Sequence, residues 1–123
     1  MTSHVIDASA AIAFLLNETG GDAVRPHLES GLMSSVNLTE VVTRLIRTGH
    51  DPARAHFLGC TIVEHDVGLA DRAGRLWPVT AHLGLSLGDR ACLALAMREA
   101  LPVLTGDRPW AALTLGVDVV LIR

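Results

Sequence analysis

The sequence predicts an α/β fold built on a largely parallel sheet. Five short apolar runs alternate with stretches of helical character, and the runs are continuously apolar, as in strands that are covered on both faces. The chain has 123 residues, which is the size of one domain, and 50% of them are hydrophobic. We therefore assign residues 1–123 to a single domain.

Each predicted element follows from the local pattern of residues. The strands are the apolar runs His4–Ile6, Leu32–Val36, Thr61–Glu64, Val103–Thr105 and Val117–Ile122. The helical stretches between them are Ser9–Leu16, Gly21–Ser30, Asn37–Arg47, Pro52–Leu58, Gly68–Trp77, Asp89–Ala100 and Pro109–Leu115. Asn37–Arg47 carries apolar residues at helical spacing, and Asp89–Ala100 is apolar nearly all round, which indicates a buried helix.

The composition excludes several kinds of protein. The net charge is −3, and all ten basic side chains are arginine. Without lysine the chain has no Walker-type phosphate loop, no Schiff-base lysine and no match to a phosphoacceptor receiver domain, which needs one. No apolar run reaches the ~18 residues of a membrane span, and no signal peptide is visible. Two widely spaced cysteines are typical of a reduced protein, so we expect a cytoplasmic location without membrane contact.

Four acidic residues fall where predicted strands end or predicted helices begin. Asp7 directly follows the predicted strand His4–Ile6, and Asp107 closely follows the strand Val103–Thr105. Glu40 and Asp89 lie near the starts of predicted helices. In a parallel α/β sheet these positions share one edge, and ligands bind outside that edge. We therefore expect the four carboxylates to converge there.

Each acid also has a structural explanation when it is taken alone. Asp7 could cap the following helix, and Asp89 could complement a helix dipole. Asn37 and Glu40 could form a capping box, and Asp107 could be a turn residue. As a group they are harder to explain, because carboxylates ~6 Å apart at an effective dielectric of ~20 repel by about 3 kcal/mol per pair. Either some acids are protonated, or they lie apart, or a cation lies among them.

Carboxylate oxygens favour a hard cation, and such a cation in proteins commonly serves phosphate chemistry. The sequence therefore predicts Mg²⁺ or Mn²⁺ as the cofactor. The six histidines have no paired spacing for zinc, and Ser9 lacks the surrounding G-x-S-x-G elbow of a serine hydrolase.

Four stretches resemble, in order and spacing, the motifs of PIN-domain ribonucleases, and most closely those of the VapC-type toxins of bacterial toxin–antitoxin pairs. They are VIDASAAIAFLL, SSVNLTEVVTRL, LSLGDRACLALA and VLTGDRPW, and they extend from Val5 to Trp110. The resemblance implies a PIN-like three-layer fold with a five-stranded parallel sheet wrapped by helices. It also implies a Mg²⁺- or Mn²⁺-dependent endoribonuclease that cleaves RNA with metal-activated water. The implied partners are RNA, a cognate VapB-type antitoxin, and further copies of the chain in a homodimer or a higher toxin–antitoxin assembly.

The resemblance also assigns residues to the site. The catalytic and metal-binding acids that match the family motifs are Asp7, Glu40, Asp89 and Asp107. Ser9 and Thr105 match supporting hydroxyl residues. Arg108 is a candidate RNA contact, and the other arginines near the acids are Arg44, Arg47 and Arg90. Each arginine could equally be a solvated side chain, and Glu40 with Arg44 could be a surface ion pair.

Two other functions remain open at the level of the sequence. The domain could be a PIN-like scaffold that binds metal or RNA without cleaving it, although the presence of all four acids argues against lost catalysis. It could also be a nuclease that processes RNA and is not a toxin.

Overall fold

A parallel sheet of five strands forms the centre of the structure, a computed structural model that describes residues 3–123. Met1 and Thr2, which belong to the predicted domain 1–123, lie outside the described residues. The strands are β1 (Val5–Ile6), β2 (Leu32–Ser34), β3 (Thr61–Val63), β4 (Val103–Thr105) and β5 (Val119–Leu121). Their order across the sheet is β3-β2-β1-β4-β5, and every neighbouring pair is parallel. The predicted α/β fold with a five-stranded parallel sheet is confirmed.

Helices connect the strands and cover the sheet. In the described residues the α-helices are α1 (Ala8–Leu15), α2 (Arg25–Leu28), α3 (Ser35–Arg47), α4 (Val67–Arg75), α5 (Trp77–Thr80) and α6 (Leu87–Glu99). Short 3₁₀ turns occupy Gly21–Ala23, Pro52–Phe57, Ala81–Leu83 and Arg108–Ala112. Within residues 3–123, none of these helices has the length and apolar character that crossing a membrane requires.

Successive strand residues face opposite sides of the sheet, and each side packs against its own helices. Ile6, Met33 and Leu104 lie in one apolar cluster with residues of α1 and α3. Their neighbours Val5, Leu32 and Val103 lie in a second cluster with residues of α4 and α6. The sheet is therefore the middle of three layers, as the PIN-like fold requires.

Helix α6 is the buried helix that the sequence predicted. Residues 91–96 are all 0% exposed, and the helix packs against α3, α4 and the central strands. It begins earlier than predicted because Ser86 caps it. The Ser86 hydroxyl accepts a hydrogen bond from the Asp89 amide at 3.2 Å, and the Asp89 carboxylate accepts one from the Ser86 amide at 2.9 Å. Asp89 is therefore the third residue of the helix rather than its first.

Helix α3 also begins earlier than predicted. The Ser34 hydroxyl accepts a hydrogen bond from the Val36 amide at 3.2 Å, so the strand predicted over Leu32–Val36 ends at Ser34 and the helix begins at Ser35. Glu40 consequently lies in the second turn of α3 rather than near its cap.

Prolines account for most of the other differences from the predicted helices. Gly21–Ser30 divides into a 3₁₀ turn and the short α2, which has a proline in its first turn. The short helical stretches predicted at Pro52–Leu58 and Pro109–Leu115 are 3₁₀ turns, at Pro52–Phe57 and Arg108–Ala112. Helix α5, with the 3₁₀ turn after it, was not predicted, and Pro78 lies in its first turn.

Candidate functional site

The four predicted acids line one pocket at the carboxyl edge of the sheet. The pocket has a volume of about 460 Å³, and its lining includes Asp7, Glu40, Asp89 and Asp107. Asp7 follows β1 and Asp107 follows β4, and these two strands are neighbours. Helix α6 does not directly follow a strand, and its first turn reaches the same edge by packing against α3. The structure therefore places the four carboxylates around one pocket, as the sequence predicts.

Asp7 is a buried acid that hydroxyl groups hold in place. Its side chain is 2% exposed, and Oδ2 accepts hydrogen bonds from Ser9 Oγ at 2.5 Å and Thr105 Oγ1 at 2.9 Å. Burial raises the pKa of Asp7 to about 7, the hydroxyl hydrogen bonds oppose this shift, and nearby acids add to it. The side chain makes no capping hydrogen bond to α1, so the capping explanation of Asp7 is wrong.

The same two hydroxyls connect Asp7 with the turn that carries Asp107. Ser9 Oγ accepts a hydrogen bond from the Gly106 amide at 2.8 Å. Thr105 Oγ1 accepts one from the Asp107 amide at 3.1 Å. Each hydroxyl thus donates to the first acid and accepts from the backbone beside the fourth. This network fixes the two loops relative to each other.

Glu40 is held by Asn37, whose predicted role as a helix cap is wrong. Asn37 lies in the first turn of α3 and is 0% exposed. Its Nδ2 donates to Glu40 Oε1 at 2.7 Å and to the Gly88 carbonyl oxygen at 3.1 Å. Burial raises the pKa of Glu40, and the hydrogen bond from Asn37 opposes that shift. The two residues therefore pair inside the protein and do not form a capping box.

Asp89 and Asp107 differ in whether their side chains cap a helix. Asp89 completes the capping box of α6 with Oδ2 and also lines the pocket. Asp107 precedes a 3₁₀ turn but makes no capping hydrogen bond with its side chain. Burial raises the pKa of Asp107, the charge of Asp89 adds to this shift, and the Arg123 guanidinium opposes it. Helix capping thus accounts for one carboxylate oxygen of Asp89 and for neither oxygen of Asp107.

The carboxylate oxygens of the pocket are the kind of ligand that a hard divalent cation prefers. Three acids each use one oxygen for a protein hydrogen bond. Among residues 3–123 no donor is hydrogen-bonded to their other oxygens, Asp7 Oδ1, Glu40 Oε2 and Asp89 Oδ1. In the same range, no three Asp, Glu, His or Cys side chains are already grouped closely enough to hold an ion. An ion at this pocket would therefore have to draw the carboxylates together.

Arginines from α3 and from the segment after β5 line the same pocket. Arg44 and Arg47 lie one and two turns beyond Glu40, as their spacing predicts, and Arg123 follows β5. Glu18 lies between α1 and the first 3₁₀ turn, and its carboxylate is 3.4 Å from both the Arg44 and the Arg123 guanidinium groups. Arg44 thus pairs with Glu18. The surface ion pair between Glu40 and Arg44 that the sequence left open is therefore wrong.

The other candidate residues lie outside this pocket. Arg108 is exposed and does not belong to the pocket lining. Arg90 turns toward α4, where it donates to the Ala73 carbonyl oxygen at 3.1 Å. Trp110, at the end of the fourth motif, is 1% exposed and packs in the core.

The PIN domain family profile matches residues 4–114 of the chain. No curated protein that was compared with the sequence matches it. A toxin–antitoxin complex from Klebsiella pneumoniae has a similar structure, with a TM-score of 0.77 and 19% identity over 98% of each chain. A DNA-bound VapBC from Salmonella typhimurium has a TM-score of 0.75 and 16% identity over 100% of each chain. VapC20 from Mycobacterium tuberculosis, a Sarcin-Ricin loop cleaving toxin, has a TM-score of 0.74 and 15% identity over 94% of this chain and 99% of that one.

The solved structures share the fold of this chain at low sequence identity. The family profile spans nearly the whole sequence and includes the four motifs with their acids. The protein therefore belongs to the PIN domain family.

Proposed function

We propose that the protein is a Mg²⁺- or Mn²⁺-dependent endoribonuclease that acts in the cytoplasm as the toxin of a type II toxin–antitoxin pair. The observation that carries this proposal is the convergence of four carboxylates on one pocket of a PIN fold. The similar structures of toxin–antitoxin proteins support the toxin role. The proposed partners are RNA, a cognate VapB-type antitoxin and a second copy of the chain.

The pocket acids would hold the cation. The ligands are expected to be Asp7, Glu40, Asp89 and Asp107. When bound, Mg²⁺ or Mn²⁺ would neutralise charge on the RNA phosphate and lower the pKa of a water molecule. The protein's own contribution is to position these ligands. Ser9 and Thr105 hold Asp7 and the turn of Asp107, and Asn37 holds Glu40.

The pocket arginines would bind the RNA backbone. The protein has a net charge of −3, so its overall charge repels RNA. Binding therefore needs local positive charge that outweighs this repulsion. Arg44, Arg47 and Arg123 line the pocket together with the acids, and their positive charges would supply that attraction. The ion pairs of Glu18 are partly exposed and contribute little to stability, so a phosphate can replace Glu18 as the partner of Arg44.

Replacing Arg44 by glutamine is expected to weaken RNA binding several-fold without lowering the melting temperature appreciably. The loss of one phosphate contact should also reduce the dependence of log Kd on log salt by about one. Fluorescence anisotropy with labelled RNA at several salt concentrations measures both quantities. Arg75→Gln is the matched control, because Arg75 pairs with Asp71 on the exposed face of α4 and does not line the pocket. Equal RNA affinities for the two variants would remove Arg44 from the RNA site.

Induced expression in a bacterial host tests the toxin role. We expect wild type to arrest growth and to produce RNA fragments, and Asp7→Asn to do neither. Co-expression of the protein encoded beside this one should restore growth. Growth arrest that no neighbouring protein relieves would contradict the toxin role, and RNA cleavage without growth arrest would favour an RNA-processing nuclease. An intact RNA population with bound metal would favour a scaffold.

A further inference from the structure

The carboxylate of Glu40 is connected to helix α6 through the side chain of Asn37. Asn37, one turn earlier in α3, donates from Nδ2 to Glu40 Oε1 at 2.7 Å. The same nitrogen donates to the Gly88 carbonyl oxygen in the first turn of α6 at 3.1 Å. A single buried amide thus links one acid of the pocket to the helix that carries another, Asp89.

Gly88 supplies the space that Glu40 occupies. A Cβ atom at Gly88 would lie 2.5 Å from the carboxyl carbon of Glu40 and 2.6 Å from its Oε1. Only a residue without a side chain allows the carboxylate to lie against the start of α6. The backbone of Gly88 thus contributes a carbonyl acceptor for Asn37 and an opening for Glu40.

The orientation of the Asn37 amide is determined by its partners. Both partners of Nδ2 are acceptors, so exchanging the amide oxygen and nitrogen would bring two acceptors against the oxygen. In the described residues, Asn37 Oδ1 is buried and has no hydrogen-bond partner. A buried polar atom without a partner costs stability, and such a cost is more often accepted at functional sites than in a core.

We infer that Asn37 and Gly88 are positioning residues that place the Glu40 carboxylate for the cation. The inference rests on the proposed function, because it assigns the purpose of the arrangement to metal binding. Residues that orient metal ligands typically change metal affinity by roughly 10–100-fold when they are replaced. Neither residue is expected to touch the cation or the RNA itself.

Calorimetric titration of Mn²⁺ into metal-free protein is the first test. Asn37→Leu and Gly88→Ala are each expected to raise the Kd for Mn²⁺ roughly 10–100-fold relative to wild type. Two substitutions on different helices keep the test valid where one of them fails to fold, and a melting curve of each protein establishes folding. A folded Asn37→Leu and a folded Gly88→Ala that both bind Mn²⁺ like wild type would overturn the inference.

Two control variants separate positioning from general loss of stability. Gly74→Ala adds a methyl group to a helical glycine of α4 that has no atom within 4 Å of the new Cβ. Thr80→Val removes a buried hydrogen bond from the Thr80 hydroxyl to the Leu76 carbonyl oxygen, away from the pocket. Both are expected to keep the wild-type Kd for Mn²⁺. If Thr80→Val weakened Mn²⁺ binding as much as Asn37→Leu, the effect would be one of stability and the inference would fail.

A crystal structure of metal-free Asn37→Leu separates this inference from the proposed function. We expect the Glu40 carboxylate to leave its place beside Gly88 in this variant. A carboxylate in an unchanged position would overturn the inference whether or not wild type binds Mn²⁺. A wild-type protein that binds no Mn²⁺, together with a displaced carboxylate in Asn37→Leu, would instead refute the metal-dependent function and leave the positioning of Glu40 intact.

Discussion

Asp7→Asn is expected to lower the rate of RNA cleavage by at least about 100-fold while the protein keeps its fold. The substitution removes one ligand charge and changes the side-chain volume very little, and the loss of several kcal/mol of charge stabilisation corresponds to this factor. The amide oxygen of asparagine still accepts hydrogen bonds from the Ser9 and Thr105 hydroxyls that hold Asp7 in wild type. Loss of activity is therefore expected without loss of the hydroxyl network.

The stability of the same variant without metal should depend on pH in a defined direction. Burial raises the pKa of Asp7 from 3.8 to about 7 in the folded protein. The folded state therefore binds the proton more tightly than the unfolded state, and ionised Asp7 destabilises the fold. This penalty is absent below pH ~4, grows between pH ~4 and ~7, and reaches on the order of 4 kcal/mol above that range. Asp7→Asn should consequently be more stable than wild type at pH 8, with a difference that shrinks toward pH 4.

Urea unfolding in EDTA at pH 5 and pH 8 measures this difference. Asp22→Asn is the control, because Asp22 is exposed and does not line the pocket. The control should change stability little at either pH. If Asp7→Asn unfolded at lower urea than wild type at pH 8, the carboxylate would be stabilising the fold, and Asp7 would have a structural role.

Adding Mn²⁺ or Mg²⁺ to the metal-free protein is expected to raise its melting temperature, with the larger effect from Mn²⁺. An ion at a concentration of 100 times its Kd stabilises the folded state by about 2.7 kcal/mol, which in a domain of this size corresponds to a shift on the order of 10 °C. The ion competes with protons for acids whose pKa is raised, among them Asp7, Glu40 and Asp107. The shift should therefore be smaller at pH 5 than at pH 8.

Asp89→Asn tests the contribution of the third acid to this stabilisation. The Mn²⁺-induced shift should be reduced in this variant, because a ligand charge is lost, and Asp22→Asn should respond like wild type. Calorimetry gives the affinities directly. An unaltered Kd for Mn²⁺ in Asp89→Asn would take Asp89 out of the metal site and leave helix capping as its role.

The sheet and the convergence of the acids were predictable because they depend on local patterns and one topological rule. The buried strands are continuous apolar runs, and the register of β1 against β4 places the ends of both strands side by side. Asp7 and Asp107 follow these ends. The rule that parallel strands share a carboxyl edge then brings them together without further information.

Helix starts were less predictable, because they depend on single capping hydrogen bonds. Ser34 and Ser86 each accept one hydrogen bond from a backbone amide two or three residues later. The apolar pattern continues through both positions, so periodicity alone placed the starts of the two helices two residues late. For this reason Asn37 resembled a cap in the sequence, although it lies inside the helix and pairs with Glu40.

The pairs that Glu18 makes at the pocket were not predictable, because they join segments far apart in the chain. Glu18 meets Arg123 only because the loop after α1 packs against the end of β5. Gly20 permits this approach, since it has a φ of +86° and a Cβ there would lie 2.9 Å from the Ile122 carbonyl carbon. In the sequence, a glycine two residues after Glu18 indicates a turn and does not identify the partner of Glu18.

Cleavage of labelled RNA by purified protein tests most directly the claim that the four acids make this PIN domain a metal-dependent ribonuclease. We expect wild type to produce discrete fragments with Mn²⁺ or Mg²⁺, to produce none in excess EDTA, and to recover when Mn²⁺ is restored. Asp7→Asn should cleave at least about 100-fold more slowly than wild type with either ion. Cleavage by wild type that continues at the same rate in EDTA, or cleavage by Asp7→Asn at the wild-type rate, would contradict the claim.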